Sequence, residues 1–200
     1  MIDEGYIKFR CELTPGPSPE PELLTDLNRS RQRMVALGLI GHDETENVDY
    51  GNISIRGSAP GQILITGTQT GHLPELTPEH YALVTHCDIE GNVVSCAGGV
   101  KASSETLTHA AIYALDPAIA AVIHVHHQGH WDRLINHLPT TAANVAYGTP
   151  DMAAEFARLY RDTHLPDIRV AVMGGHPGGL ISFGESLRAA EQALHQHLGT

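Results

Sequence analysis

Two periodicities run along the chain, and each predicts its own kind of element. Apolar side chains that recur every three or four positions predict helices, whereas β-branched and apolar runs bounded by turn residues predict strands. Helices are predicted over residues 22–39, 101–115, 131–138, 149–163 and 185–198. Strands are predicted over residues 51–57, 62–67, 76–88 (after an initial helical turn), 89–96, 118–127 and 168–184, the last being two strands around a glycine-rich turn.

The order of these elements predicts an α/β fold. Strands that are adjacent in sequence are joined mostly by short turns, so we expect a single domain with a central, largely antiparallel sheet flanked by helices. Residues 11–21 hold four prolines and predict an extended lead-in or a loop. We therefore divide the chain into an N-terminal lead-in, residues 1–21, and one domain, residues 22–200. The serines that open the helix at 101–115 predict a serine N-cap.

Charge and hydropathy narrow the choice of partners. The formal net charge of −11 argues against a nucleic acid as a binding partner. Any anionic substrate would have to be held by local groups rather than attracted by the overall charge. The chain has no run of eighteen apolar residues and no basic segment followed by an apolar one at its start, so we expect no membrane span, no secretory signal and a cytoplasmic location. The cysteines, Cys11, Cys87 and Cys96, lack metal-ligand spacing and are expected to be reduced thiols.

Histidines follow the apolar run of the strand predicted at 118–127. Successive side chains of a strand alternate between its faces, so His124 and His126 share one face and can bind one cation together. The alternative is a pair of hydrogen-bonded surface histidines at the end of a strand. His176 lies between glycines in the predicted turn "MGGHPGG" and is a candidate third ligand, although a plain turn residue would show the same pattern.

Small polar residues form three further clusters. In "KASSETLTHAA", Ser103 and Ser104 precede Glu105 at the start of a predicted helix, where free amides and hydroxyls can hold an anion. The simpler interpretation is that Glu105 only stabilises the first helical turn. The segments "GNIS" and "TGTQTG" supply more amide and hydroxyl donors without adding charge, which suits a phosphate or a carboxylate.

In this order, the motifs resemble those of the class II aldolase/adducin family. The shared run reads "GNIS", "LITGTQTG", "KASSE", "HVH" and "GGHPGG" and covers about residues 22–198, nearly the whole chain. The resemblance implies the αβα fold of the class II aldolases. It also implies a homotetramer with sites at subunit interfaces and a sugar phosphate as the small-molecule partner.

The resemblance further implies roles for single residues. His124, His126 and His176 would hold Zn²⁺, or another divalent ion such as Mn²⁺ or Co²⁺, and Glu105 would be the acid/base residue that can also touch the metal. The implied phosphate donors are Gly51, Asn52, Thr70, Gly71, Ser103 and Ser104. Thr66 and Gly67 compete with Thr70 and Gly71, because "TGTQTG" is longer than the corresponding family segment. Tyr147 does not align with the tyrosine that protonates the leaving fragment in sugar-phosphate aldolases.

The implied activity is that of a metal-dependent aldehyde-lyase. It would cleave a small hydroxy-ketone, in the leading hypothesis a ketose phosphate, by a reversible aldol reaction through an enediolate that the metal stabilises. A carboxylate such as Glu105 would move the proton at carbon. A sugar-phosphate 4-epimerase, a dehydratase or a decarboxylase on the same scaffold is the alternative. The intact set of three histidines and Glu105 argues against a third hypothesis, a non-catalytic adducin-like interaction module.

Overall fold

A computed structural model describes residues 5–16, 19 and 21–199 of the chain. Within that part the strands are β1 (Arg10–Thr14), β2 (Gly41–Asp43), β3 (Val48–Tyr50), β4 (Asn52–Arg56), β5 (Ile63–Thr66), β6 (Tyr81–Asp88), β7 (Val93–Gly98), β8 (Ala121–His126), β9 (Val170–Val172) and β10 (Gly179–Gly184). The helices are α1 (Pro21–Ala36), α2 (Thr106–Leu115), α3 (Gln128–Leu134), α4 (Pro150–Asp162), α5 (Leu165–Ile168) and α6 (Leu187–Leu198), and a 3-10 turn covers Pro78–His80.

Eight of these strands form one sheet in the spatial order β1-β7-β6-β5-β4-β8-β10-β9. The neighbouring pairs are antiparallel, except that β1 runs parallel to β7. This confirms the predicted α/β fold with a largely antiparallel sheet. Strands β2 and β3 form a separate small hairpin. Their three residues each are too short to give a recognisable alternation in the sequence.

Helices cover both faces of the sheet, and alternate residues of each strand face different helices. In β8, Val122 packs in the cluster that contains residues of α2 and α4, whereas Ile123 packs in the cluster that contains residues of α1 and α6. This alternation follows from the two-residue period of a strand. His124 and His126 therefore point to the same side as Val122, towards α2 and α4.

Helix α2 begins later than the sequence pattern predicts, and the predicted serine N-cap is wrong. Glu105 occupies the N-cap position and makes no side-chain capping hydrogen bond. The serines form a turn before the helix instead, because the backbone N–H of Thr106 donates to the carbonyl oxygen of Ser103. Ala102 is held in a β-bridge with Gly67, so the chain is still extended immediately before this turn.

The predicted lead-in takes part in the sheet where the structure describes it. Strand β1 pairs in parallel with β7, with Cys11 opposite Val94. Residues 1–4, 17, 18 and 20 of the lead-in, and residue 200, lie outside the described residues. The boundary between lead-in and domain at residues 21 and 22 stays a prediction. Among the helices of the described residues, none has the length and apolar character needed to cross a bilayer.

Candidate metal centre

Strand β8 presents two histidines side by side at its carboxyl end. The side chains of His124 and His126 lie on one face of the strand, and their Nε2 atoms are 3.0 Å apart. The strand is almost entirely buried, and its apolar residues Val122 and Val125 are inaccessible to solvent. The two imidazoles therefore lie at the carboxyl end of a strand that is otherwise buried in the core.

His176 reaches the same point from the turn between β9 and β10. Because β10 runs antiparallel to β8 with Gly179 opposite His126, this turn lies directly beside the end of β8. The Nε2 atom of His176 is 2.9 Å from the Nε2 atom of His126. A Cβ atom at Gly179 would lie 2.6 Å from Cδ2 of His176, so the absence of a side chain at this glycine makes room for the imidazole.

The hydrogen bonding of His124 fixes its tautomer. Its Nδ1 atom lies 3.0 Å from the carbonyl oxygen of Leu180, which can only accept, so Nδ1 carries the proton. Burial lowers the pKa of His124 to about 4 and also lowers the pKa values of His126 and His176. The imidazole of His124 is therefore neutral near pH 7 and presents the lone pair of Nε2 to the other two rings.

Glu105, at the start of α2, adds a carboxylate to this group. Its Oε1 atom lies 3.7 Å from Nε2 of His124 and 3.5 Å from Nε2 of His176. The hydroxyl of Thr108 donates to Oε2 at 2.8 Å, whereas Oε1 is buried and has no hydrogen-bond partner among the described residues. Burial raises the pKa of Glu105 to about 7, and the hydrogen bond from Thr108 opposes this rise.

These side chains fit a divalent cation. The three histidines form a group whose ligand atoms all lie within 4.8 Å of one another. Ligands of a tetrahedral zinc ion at 2.0–2.1 Å are separated by about 3.3 Å, close to the N–N distances given above. Burying a carboxylate oxygen without a hydrogen bond is costly unless a positive charge lies beside it. A cation held by the three histidines would lie beside Oε1 of Glu105 and would supply that charge.

A cavity gives access to this region. It has a volume of about 340 Å³ and is lined by His126 together with Tyr50, Gln128 and Pro177, among other residues. The ring of Tyr50 lies 5.9 Å from the ring of His126, measured between centroids. A ligand in this cavity would therefore lie against one of the three imidazoles.

Four of the six candidate phosphate donors lie on elements that adjoin the histidines and Glu105. Asn52 is opposite His124 in the pairing of β4 with β8, and its Oδ1 atom is buried without a hydrogen-bond partner among the described residues. Gly51 precedes it with a φ of +77°. Ser103 and Ser104 directly precede Glu105, and the Oγ atom of Ser103 accepts a hydrogen bond from the backbone N–H of Glu105.

The two Thr-Gly pairs occupy different surroundings. Thr66 ends β5, and its hydroxyl accepts a hydrogen bond from the backbone N–H of Ile53, the neighbour of Asn52. Gly67 forms the bridge to Ala102, immediately before the serines. Thr70 and Gly71 instead direct their carbonyl oxygens to the guanidinium of Arg31 on α1. The structure thus places Thr66 and Gly67 next to Asn52 and Ser103.

Two further residues adjoin the centre, although no alignment was found for Tyr147 in the sequence and Lys8 was not singled out there. The ring of Tyr147 packs against the ring of His176, with centroids 4.5 Å apart. The ammonium nitrogen of Lys8 lies 3.1 Å from the centroid of the Tyr147 ring. Neither residue belongs to a motif, and their proximity to His176 depends on chain segments far apart in sequence. No local pattern in the sequence could have identified them.

Comparison with known proteins defines the family. The sequence matches the family described as Class II Aldolase and Adducin N-terminal domain over residues 33–197. The chain therefore belongs to the class II aldolase/adducin family, as its motifs indicated. The class II aldolases of this family use a divalent metal, and the cluster of three histidines in this chain could bind one.

Solved structures with the same fold extend over most of the chain. YgbL from Klebsiella pneumoniae, a candidate aldolase/epimerase/decarboxylase, has a TM-score of 0.65 and 20% identity, covering 90% of this chain and 86% of that one. L-fuculose-1-phosphate aldolase from Thermus thermophilus has a TM-score of 0.60 and 23% identity, with coverages of 90% and 87%. A sugar-phosphate aldolase from Thermotoga maritima has a TM-score of 0.59 and 15% identity, with coverages of 89% and 94%. These similarities confirm the class II aldolase-like fold.

Proposed function

We propose that this protein is a metal-dependent aldehyde-lyase that cleaves a small hydroxy-ketone, a ketose phosphate, by a reversible aldol reaction. The observation that carries the proposal is the position of the Glu105 carboxylate, within 3.7 Å of two of three converging imidazoles. Aldol cleavage requires stabilisation of negative charge on oxygen and a group that moves a proton at carbon. The candidate centre offers residues for both tasks.

In this proposal His124, His126 and His176 hold Zn²⁺, or Mn²⁺ or Co²⁺ in its place. Such an ion would act as a Lewis acid that stabilises negative charge on the substrate oxygens. Neutral imidazoles would leave the charge of the ion undiminished. The bond between Nδ1 of His124 and the carbonyl oxygen of Leu180 keeps that ring in the orientation and tautomer that a ligand needs.

Glu105 is the proposed acid/base residue, and it can also touch the metal. In the metal-free protein burial raises the pKa of Glu105 to about 7, whereas a cation at the histidines would lower this pKa. The carboxylate would then be ionised at neutral pH and able to accept a proton from the substrate. The hydroxyl of Thr108 holds Oε2, which leaves Oε1 directed towards the histidines. Glu105 is thus held in a fixed orientation for proton transfer at the substrate carbon.

The phosphate of the substrate is proposed to bind to uncharged donors. Gly51, Asn52, Ser103 and Ser104 supply amides and hydroxyls beside Glu105, as the family resemblance implies. For the Thr-Gly contribution, contact with Ile53 and Ala102 supports Thr66 and Gly67. Thr70 and Gly71 remain the alternative that the sequence resemblance favours. Hydroxyl and amide donors bind phosphate without requiring a positive overall field, which suits a chain of net charge −11.

We further propose that the protein is a cytoplasmic homotetramer with its sites at subunit interfaces. The resemblance to the family supports the tetramer. The cysteines Cys11, Cys87 and Cys96 are free thiols, as expected for a protein in a reducing compartment.

A panel of phosphorylated and free ketoses, assayed for release of an aldehyde with and without a chelator, tests the proposed reaction. We expect one ketose phosphate to yield two shorter carbonyl fragments, and we expect the chelator to stop the reaction. A changed stereocentre without fragments would indicate the epimerase instead. Loss of water would indicate a dehydratase. Loss of carbon dioxide would indicate a decarboxylase, which is one of the activities in the description of YgbL.

A further inference from the structure

The hairpin of β2 and β3 presents one face to the cavity beside His126. Asp43 pairs with Val48, and Gly41 pairs with Tyr50. Paired residues of a hairpin, and residues two positions apart on one strand, point to the same side. Asp43, Val48 and Tyr50 accordingly all line the cavity of about 340 Å³. The hairpin thus supplies a carboxylate and a phenol to the wall of a cavity that adjoins the candidate metal centre.

Two glycines leave room for the polar groups of this cavity. A Cβ atom at Gly41 would lie 2.9 Å from the hydroxyl oxygen of Tyr50, so a side chain there would displace the phenol. Gly178 lies on the opposite wall with a φ of +84°. A Cβ atom at Gly178 would lie 3.2 Å from Nδ1 of His126 and 3.7 Å from Oε1 of Gln128. A side chain at either glycine would therefore take up space beside the polar wall.

The polar side chains of the wall keep hydrogen-bonding capacity for a ligand. Oδ1 of Asp43 accepts from two backbone N–H groups of the hairpin turn, and no other group of the described residues bonds to its Oδ2. The side-chain amide of Gln128 donates to Asp132 at 2.8 Å, which leaves Oε1 of Gln128 to accept. The hydroxyl of Tyr50 is 3.5 Å from the carbonyl oxygen of Gly38, at the limit of a hydrogen bond.

These groups favour a ligand that carries hydroxyls. The carboxylate of Asp43 and the amide oxygen of Gln128 accept hydrogen bonds, so they require a ligand that donates, and the hydroxyl of Tyr50 can donate or accept. The hydroxyl groups of a polyol meet both requirements. An alkyl group would leave buried acceptors without partners, and a carboxylate or phosphate would meet the like charge of Asp43.

We propose that this cavity binds a neutral, hydroxylated end of the substrate, and that Tyr50, Asp43 and Gln128 select that end by hydrogen bonds to its hydroxyl groups. The volume of the cavity is sufficient for a fragment of a few carbons. The substrate is then a polyhydroxylated ketose rather than a ketone with an alkyl or acidic end. This inference rests on the proposed function, because it takes the three histidines to hold the metal that binds the ketone.

The turn at Gly51 assigns the two ends of such a substrate. Gly51, with a φ of +77°, separates Tyr50 at the end of β3 from Asn52 at the start of β4. The ring of Tyr50 lies against the ring of His126, whereas Asn52 is paired with His124. The hydroxylated end is therefore bound beside His126, and a phosphate is bound at the other end, around Asn52.

Two ketones with the same carbon skeleton test the inference by binding alone. Erythrulose carries hydroxyls on both sides of its ketone, whereas 1-hydroxybutan-2-one keeps one hydroxyl beside the ketone and ends in an alkyl group. Calorimetric titration of the zinc-loaded protein measures both affinities. The loss of two hydroxyls with their hydrogen bonds predicts binding about tenfold weaker for 1-hydroxybutan-2-one. Equal affinity for the two ketones, or no binding of erythrulose, would overturn the inference.

Variants of the wall separate selection from a structural role. Tyr50→Phe and Asp43→Asn each keep the shape of the side chain, and the asparagine retains an oxygen for the hairpin turn. We expect each variant to weaken erythrulose binding by about three- to tenfold and to leave the affinity for 1-hydroxybutan-2-one unchanged. A purely structural role would weaken both ligands equally. An unchanged ratio of the two affinities in both variants would overturn the inference.

Matched controls remove the same chemical groups outside the cavity. Tyr160→Phe removes a hydroxyl that donates to Asp116 and belongs to a residue lining a different cavity. Glu44→Gln removes an exposed carboxylate next to Asp43 in the chain. We expect both controls to bind the two ketones as the unmodified protein does. A loss of erythrulose affinity in these controls as large as in Tyr50→Phe and Asp43→Asn would overturn the assignment to the cavity.

An acidic ketone tests the charge of the cavity. The ketone 5-hydroxy-4-oxopentanoate keeps the hydroxyl beside the carbonyl group and ends in a carboxylate. We expect Asp43→Asn to bind it more tightly than the unmodified protein does, because the variant removes the like charge. Equal or tighter binding by the unmodified protein would show that the cavity accepts an acidic end and would overturn the inference.

Aldehyde release keeps this inference apart from the proposed function. Preference for erythrulose that depends on Tyr50 and Asp43, without cleavage of any ketose phosphate, contradicts the proposed function alone. Cleavage of a ketose phosphate, together with equal binding of erythrulose and 1-hydroxybutan-2-one, contradicts this inference alone.

Discussion

The Oε1 atom of Glu105 lies 3.5 Å from the Nε2 atom of His176, although the two residues lie beside elements that are far apart in the chain. Glu105 begins α2, and His176 lies in the turn between the last two strands. Nothing in the sequence immediately around either residue explains why an ionisable side chain is buried there. Burial of both at one point is costly unless the point binds a charge, which makes this contact the structural basis of the proposed metal centre.

Replacing Glu105 with glutamine separates catalysis from metal binding. Glu105→Gln keeps the shape of the side chain and removes its ability to exchange a proton. We expect the variant to retain the metal and to lose turnover by about 10²- to 10⁴-fold, the range for a general acid–base residue. Metal content and kcat are measured on the same preparation.

Glu79→Gln serves as the control, because Glu79 is an exposed glutamate outside the centre. We expect its kcat to match that of the unmodified protein. Full activity in Glu105→Gln would remove this carboxyl group from the mechanism.

The histidine of the turn is predicted to be essential for metal binding. His176→Ala removes one of three imidazoles, and we expect the affinity for zinc to fall by at least about a hundredfold, more than the loss of a residue that only orients a ligand. Competition against a coloured chelator measures the affinity. His130→Ala should bind zinc normally, because His130 contacts His127 and Arg133 and belongs to a different cluster. Equal zinc affinity in both variants would argue against the three-histidine site.

The fold, and the positions of two of the three histidines, could be predicted from periodic patterns in the sequence. The periodicities predicted the major helices and the antiparallel sheet, because burial of one face imposes a fixed spacing on apolar residues. The shared face of His124 and His126 follows from the same two-residue period. The approach of His176 depends on the pairing of β10 with β8, which the sequence does not encode locally.

Other features could not be predicted from local patterns. Strand β1 lies in a proline-containing segment and pairs with a strand more than eighty positions away. Lys8 and Tyr147 meet only because the fold brings together two chain segments that are far apart in sequence. The start of α2 was misplaced because serine is a frequent N-cap residue, whereas here the serines form the preceding turn.

The stability of the metal-free protein is predicted to fall in acid. The pKa of His124 is about 4 in the folded protein, compared with 6.5 for an ordinary histidine. The unfolded chain therefore binds a proton at this residue below pH 6.5, whereas the folded chain does so only near pH 4. The free energy of unfolding should decrease between these values, with about 3 kcal/mol from His124.

Urea denaturation in the presence of a chelator, repeated from pH 7 to pH 4, measures this dependence. Glu105 acts in the opposite sense, because its raised pKa of about 7 favours the folded state as the pH falls. The lowered pKa values of His126 and His176 add to the effect of His124, and together the three histidines outweigh Glu105. His124→Leu should flatten the dependence on pH, and an unchanged slope in that variant would contradict the prediction.

Substitutions in the two Thr-Gly pairs distinguish the alternatives for phosphate binding. We expect Ser104→Ala and Thr66→Ala to raise KM for the phosphorylated substrate by about tenfold, because each loses one hydroxyl donor to the phosphate. Thr70→Ala should change KM little, because its hydroxyl already donates to the carbonyl oxygen of Gly67. A larger effect at Thr70 than at Thr66 would assign the donor to the second pair.

The most direct test of the metal centre is an anomalous difference map from crystals of the protein, recorded at the absorption edge of the bound metal. The account predicts one peak per chain, about 2.0–2.1 Å from an imidazole nitrogen of each of His124, His126 and His176 for zinc. No peak at saturating metal, or a peak bound by other residues, would contradict it.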